Sequence, residues 1–112
     1  MAQFDVHRNI GRHRATIPFV VIAQSSLFDD YRRRVVVPLI RKSAIGKRSH
    51  TSRNPTFKIR GTPVVLHPFE IVSVPIEQLG ELAGTLAEES QQIIAALDEL
   101  LSRAWKWRRQ LP

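Results

Sequence analysis

The sequence predicts a mainly β fold with a C-terminal α-helix, built as a small barrel of antiparallel strands, and three observations carry that expectation. Short β-branched and aromatic runs, punctuated by glycine and proline, fill the first two thirds of the chain. The apolar period then lengthens from about two residues to three and four, the signature of a helix. A chain of 112 residues leaves room for one hydrophobic core. The expected organisation is a single domain over 1–112, with the barrel over about 1–75, the main helix over about 85–105 and a basic tail over 106–112.

Gln3 to Val6 alternates Phe4 and Val6, and Ile17 to Ala23 is an apolar β-branched run after a turn at Gly11, so the chain opens with a hairpin. Arg34-Val35-Val36-Val37-Pro38-Leu39-Ile40 is a third strand. Pro38 has no N–H to give to a ladder and calls for an edge or a bulge. Arg41 to Pro55 shows no apolar periodicity and reads as a long loop. Thr56 to Arg60 and Val64 to Val74, separated by Gly61-Thr62-Pro63, form another hairpin, interrupted at Pro68. From Ile76 onward, Leu79, Leu82, Ala83 and Leu86, then Ile93, Ile94, Leu97, Leu100, Leu101 and Ala104, recur at helical spacing. Gly80 and Gly84 break the early part, so a short helical turn is expected near Ile76 to Leu79 and the main helix from Thr85. There the Thr85 hydroxyl would accept the Glu88 amide in a capping box. Glu88 and Glu89 at its start, and Arg103, Lys106, Arg108 and Arg109 near its end, complement the helix dipole.

The net charge of +7 is unevenly spread: 13 Lys/Arg stand against 3 Asp/Glu through Arg60, and 4 against 7 afterwards. The basic half suits an acidic partner segment or nucleic acid, although solvated positive surface is also common on soluble proteins. The absence of cysteine excludes disulfides, thiolate metal sites and a cysteine nucleophile. No apolar run reaches the ~18 residues of a membrane span, and Met1-Ala2-Gln3-Phe4-Asp5 lacks the layout of a secretory signal, so a cytoplasmic protein is expected.

No catalytic constellation, cofactor motif or metal motif is expected. His7, His13, His50 and His67 lack metal-ligand spacing. The glycines fit turns and breakers rather than a phosphate loop, and the adjacent acids Asp29-Asp30 and Glu88-Glu89 point apart. One enzymatic alternative is RNA cleavage with Arg12, His13, Arg14, Lys58 or Arg60 on the phosphate and Glu70 or Asp5 as acid, although their spacing does not force them together. Trp105 and Trp107, among Arg103, Lys106, Arg108 and Arg109, have the composition of a protein-binding hot spot. Trp105, four residues after Leu101, would also finish the buried helical stripe.

Gln3-Phe4-Asp5-Val6, Gln24-Ser25, Arg33-Arg34-Val35-Val36-Val37-Pro38-Leu39, Asn54-Pro55-Thr56-Phe57-Lys58-Ile59 and Ile71-Val72-Ser73-Val74-Pro75 follow one another in an order and spacing that resembles the CcdB toxins of toxin-antitoxin modules. That resemblance implies an SH3-like barrel of the CcdB/Kid/MazF type, paired as a homodimer. It further implies a non-enzymatic poison that binds the A subunit of DNA gyrase and traps the cleaved-DNA complex. A CcdA-type antitoxin would neutralise it, and operator DNA would be met only through the antitoxin complex. Gyrase-binding residues would be Trp105, Trp107, Leu27, Phe28 and Ser25. The antitoxin-binding surface would comprise Arg12, Arg14, Arg41, Lys42, Lys47 and Arg48. The tail departs from the family pattern: gyrase-poisoning members end in Trp-Gly-Ile, whereas Trp105 is followed by Lys106-Trp107-Arg108-Arg109-Gln110-Leu111-Pro112. An ungapped count places the family tryptophan nearer Ser102, and Trp105 matches once a helical turn is added. An endoribonuclease of the MazF/Kid type and a family member that has lost gyrase poisoning are the alternatives.

Overall fold

The computed structural model describes residues 1–45 and 54–103. Its strands are β1 (Asp5–Asn9), β2 (Phe19–Ile22), β3 (Arg33–Arg41), β4 (Thr56–Ile59), β5 (Thr62–Leu66), β6 (Val72–Pro75) and β7 (Leu79–Thr85). A short α1 (Lys42–Ile45) follows β3, and α2 (Ser90–Asp98) is entered through a 3₁₀ turn at Ala87–Glu89 and continued by π-helical turns over Glu99–Arg103. The strands form one curled antiparallel sheet in the order β4-β5-β3-β2-β1-β7, with β6 also paired to β3, a half-barrel backed by the C-terminal helix.

Strand alternation explains the core. Val6, Phe19, Val21, Val37, Leu39, Phe57, Ile59, Val64 and Leu66 all face inward, and Leu86, Ile93 and Ala96 from the helical end pack on them. β1 starts later than the sequence pattern suggested, because Phe4 adopts a left-handed conformation (φ 70°). That costly geometry for an aromatic residue is held by Phe4 N–H donating to the Ile22 carbonyl (2.7 Å) and Leu86 N–H donating to the Phe4 carbonyl (2.8 Å). The β4–β5 turn is the two-residue Arg60-Gly61, both at positive φ (48° and 81°), a geometry that matches the twist of a hairpin.

Two expectations are corrected. Pro38 lies on a central strand, not an edge or a bulge: β3 pairs with β2 on one side and with β6 then β5 on the other. The β6 register ends at Val36 and the β5 register begins at Leu39, so Pro38 falls where β3 changes partner; its carbonyl accepts from His67 N–H (3.0 Å) and a missing N–H costs no ladder bond. The second correction concerns residues after 75. Ile76–Gln78 does form a 3₁₀ turn, but Leu79–Thr85 is strand β7 paired with β1, so the sheet continues past the expected end of the barrel and the helical turns begin at Ala87. Thr85 Oγ1 accepts the Ala87 amide (3.2 Å), not that of Glu88, so the capping box does not form as expected. Irregular register between Val6 and His7 and between His7 and Asn9 spoils the period of two in β7.

The two sheet edges, β4 and β7, are bridged by side chains. Arg60 Nε and Nη2 donate to the carbonyls of Ala83 (3.2 Å) and Leu82 (3.1 Å), and Glu81 lies between Arg8 (2.6 Å) and Arg60 (3.5 Å).

Candidate partner-binding surface

The turn from Gln24 to Arg34, between β2 and β3, gathers three exposed apolar side chains. Leu27 is 87% exposed, Tyr31 65%, and half-exposed Phe28 stands with its ring centroid 6.2 Å from that of Tyr31. Half-buried Ser25 caps the 3₁₀ turn Ser26–Phe28, its Oγ accepting from Leu27 N–H (3.2 Å), so it shapes the turn. The Gln24 side chain spans the base: Nε2 donates to the Phe28 carbonyl (2.9 Å) and Oε1 accepts from Val35 N–H (3.0 Å). Arg34, only 6% exposed, donates from Nη1 to the carbonyls of Tyr31 (2.5 Å) and Arg33 (3.0 Å), and from Nη2 to that of Asp29 (3.2 Å). Ile76 N–H holds the Arg32 carbonyl (3.0 Å), and the Arg32 guanidinium meets Glu77 at 2.8 Å. That hydrogen bond is the main reason the Glu77 carboxyl is held below its ordinary range.

Leu27 and Phe28 fall on one turn and are exposed there. Tyr31 and Arg34 are not among the residues the sequence singles out for binding: Tyr31 has no periodic context, and Arg34 is legible only as the start of the third strand. Trp105 and Trp107 lie outside the described residues, as do Lys47 and Arg48.

The structure brings the β1–β2 loop to the end of β3. Arg41 N–H donates to the Thr16 carbonyl (2.8 Å) and its Nε to that of Ala15 (3.2 Å), while exposed Arg14 reaches the Gly11 carbonyl (3.3 Å). Arg12 and Lys42, which neighbour these residues in sequence, are exposed, whereas Arg41 is half-buried and partly engaged with the backbone.

Next to this loop opens a cavity of about 540 Å³ whose lining includes Val20, Val36, Pro38, Val72 and Val74 together with Arg8, Arg12, His13 and Glu77. An apolar floor with a cationic border suits an amphipathic acidic chain. The residues weighed for RNA cleavage are not gathered into one site. Arg60 is committed to β7, Asp5 Oδ2 accepts Ala2 N–H (3.0 Å), and Lys58 lies on β4, while Arg12 and His13 border the cavity. Among the described residues no group of His, Asp or Glu is placed to hold a metal ion, and no helix is long and apolar enough to cross a membrane.

A search of curated proteins returns no match. The model of the CcdB protein family matches residues 3–102, most of the chain. The chain thus belongs to the CcdB family and is a toxin of the CcdB type.

Proposed function

We propose that this protein is a non-enzymatic, homodimeric gyrase poison of the bacterial cytoplasm that binds the A subunit and traps the cleaved-DNA complex. The observation that carries this reading is the turn at Leu27, Phe28 and Tyr31: apolar side chains stand in solvent on a backbone already tied down, which is how a hot spot avoids paying ordering entropy on binding. Trp105 and Trp107 would add aromatic anchors from the segment that follows the helix. Arg12, Arg14, Arg41 and Lys42, with Lys47 and Arg48 from the segment that follows in sequence, would attract the acidic tail of a CcdA-type antitoxin, and the neighbouring cavity would take its apolar residues. The toxin would then meet operator DNA only within that complex. Plasmid relaxation and linearisation by purified gyrase test the reading: a trapped cleavage complex at micromolar protein supports it, and unimpeded relaxation refutes it.

A second reading, RNA cleavage, draws on Arg12, His13 and Glu77 bordering the same cavity. Against it, Glu77 spends its carboxylate on Arg32 and its lowered proton affinity makes it a weaker base. Cleavage of labelled RNA that is lost in His13→Ala would favour this reading over the first.

A further inference from the structure

Arg34 is the least expected residue of the described core. It stands in register with Val74 on the face of β3 that also carries Val36 and Pro38, where an apolar side chain would pack at lower cost. Its Nε is buried without a hydrogen-bond partner among the described residues. Its remaining nitrogens converge on the carbonyls of Asp29, Tyr31 and Arg33, and the Asp29 carboxylate lies 3.9 Å from Nη2, close enough for attraction but not for a hydrogen bond. The planar fork of a guanidinium can hold several acceptors in fixed directions, which the ammonium of lysine cannot.

We propose that Arg34 is a positioning residue for the partner-binding turn: it fixes the backbone of 29–33 so that Leu27, Phe28 and Tyr31 present one preformed apolar surface, and it makes no contact with the partner itself. This adds Tyr31 to the contact surface and assigns the buried charge a role in recognition instead of stability. The identity of the partner rests on the gyrase reading; the positioning claim does not.

The two claims separate experimentally. Arg34→Met keeps an unbranched, flexible side chain while removing the buried charge, and Arg34→Lys keeps the charge while removing the fork. In the free full-length protein, both variants are expected to speed amide exchange in Leu27 to Arg33 by about tenfold or more while exchange in β2 and β5 stays unchanged. Arg34→Met is expected to melt no lower than the parent. Binding to purified gyrase A subunit should weaken about tenfold in each variant, and Arg34→Met combined with Leu27→Ala should bind little worse than Leu27→Ala alone, because a misplaced leucine has little left to lose. Unchanged exchange in the turn overturns the proposal, as does exchange that rises equally in turn and core. Strictly additive binding losses overturn it too. If the parent protein fails to bind the A subunit, the gyrase reading falls and the exchange data alone decide the role of Arg34.

Discussion

The two faces of β3 have the same apolar character and different fates. On one face Val37 and Leu39 join Val6, Val21 and Leu66 under Ile93 and Ala96 of the helix, and the space is filled. On the other, Val36 and Pro38 meet Val20, Val72 and Val74 around a cavity of about 540 Å³. A strand apolar on both sides signals burial on both sides, yet the C-terminal helix covers the first face. The second face buries Ile22, Val36 and Pro38 but stays open where the cavity runs past Val20, Val72 and Val74, with the cationic β1–β2 loop at its border. The core face thus stores stability, and the groove rim, where Val72 is half exposed, is where sequence can change at little cost to folding.

The sharpest way to break that contrast is to truncate both faces. Leu39→Ala removes a fully buried side chain from the filled face and is expected to cost about 2–5 kcal/mol in urea unfolding. Val72→Ser on the groove rim, where the side chain is half exposed, is expected to cost about 0.5 kcal/mol or less. Comparable losses would mean that the groove belongs to the folding core.

The β1–β7 seam offers the next largest effect. A Cβ at Gly80 would lie 2.7 Å from the Arg8 carbonyl oxygen and 2.9 Å from Ile10 Cγ2, and the Gly80 carbonyl accepts the Nδ1–H of buried His7 at 2.9 Å. Gly80→Ala is therefore expected to destabilise by about 1–3 kcal/mol through forced separation of backbone from backbone. Gly84, which has open space at the same position, is expected to tolerate alanine within about 0.5 kcal/mol. Equal melting temperatures for the two variants would show that the seam yields.

That seam is also where the sequence was least legible. Leu79, Leu82, Ala83 and Leu86 fall at helical spacing, and a bulged strand produces the same spacing when its alternation slips. Gly80 and Gly84 were the available correction: they interrupt a helix, and one of them is demanded by close strand approach. β2, β3 and the β4–β5 hairpin were readable because undisturbed β-branched runs have few other solutions. Pro38 calls for an edge or a bulge because one strand's sequence does not reveal that its neighbour will change midway. Within the candidate surface, Leu27 and Phe28 were visible as apolar residues beside turn formers. The burial of Arg34 was encoded only in its strand parity with Val36 and Pro38.

Closure of the half-barrel across its open edge rests on polar contacts and should be weaker than either packed face. Arg60→Ala removes the donors to Ala83, Leu82 and Glu81, all at a half-exposed site, and is expected to cost about 1 kcal/mol or less. Amide exchange should rise first in β7 and the β4–β5 hairpin. A loss as large as that of Leu39→Ala would mean that edge closure, and not the core face, organises the fold.

The smallest effect is the most diagnostic of charge. Glu81 has its carboxyl held below the ordinary value of 4.5, first by the hydrogen bond from Arg8 and then by the charges of Arg8 and Arg60. The folded protein therefore takes up this proton less readily than the unfolded chain does. The stabilisation is present above the ordinary carboxylate range and is lost as pH falls below it through the depressed folded value. Because the carboxylate faces solvent, the contribution is small and salt weakens it further. The melting temperature of Glu81→Gln should lie slightly below that of the parent at neutral pH, with the gap closing as pH drops below 4.5 and narrowing in high salt. A gap that survives acid and salt alike would assign Glu81 a packing role, and the edge would then be held by shape instead of charge.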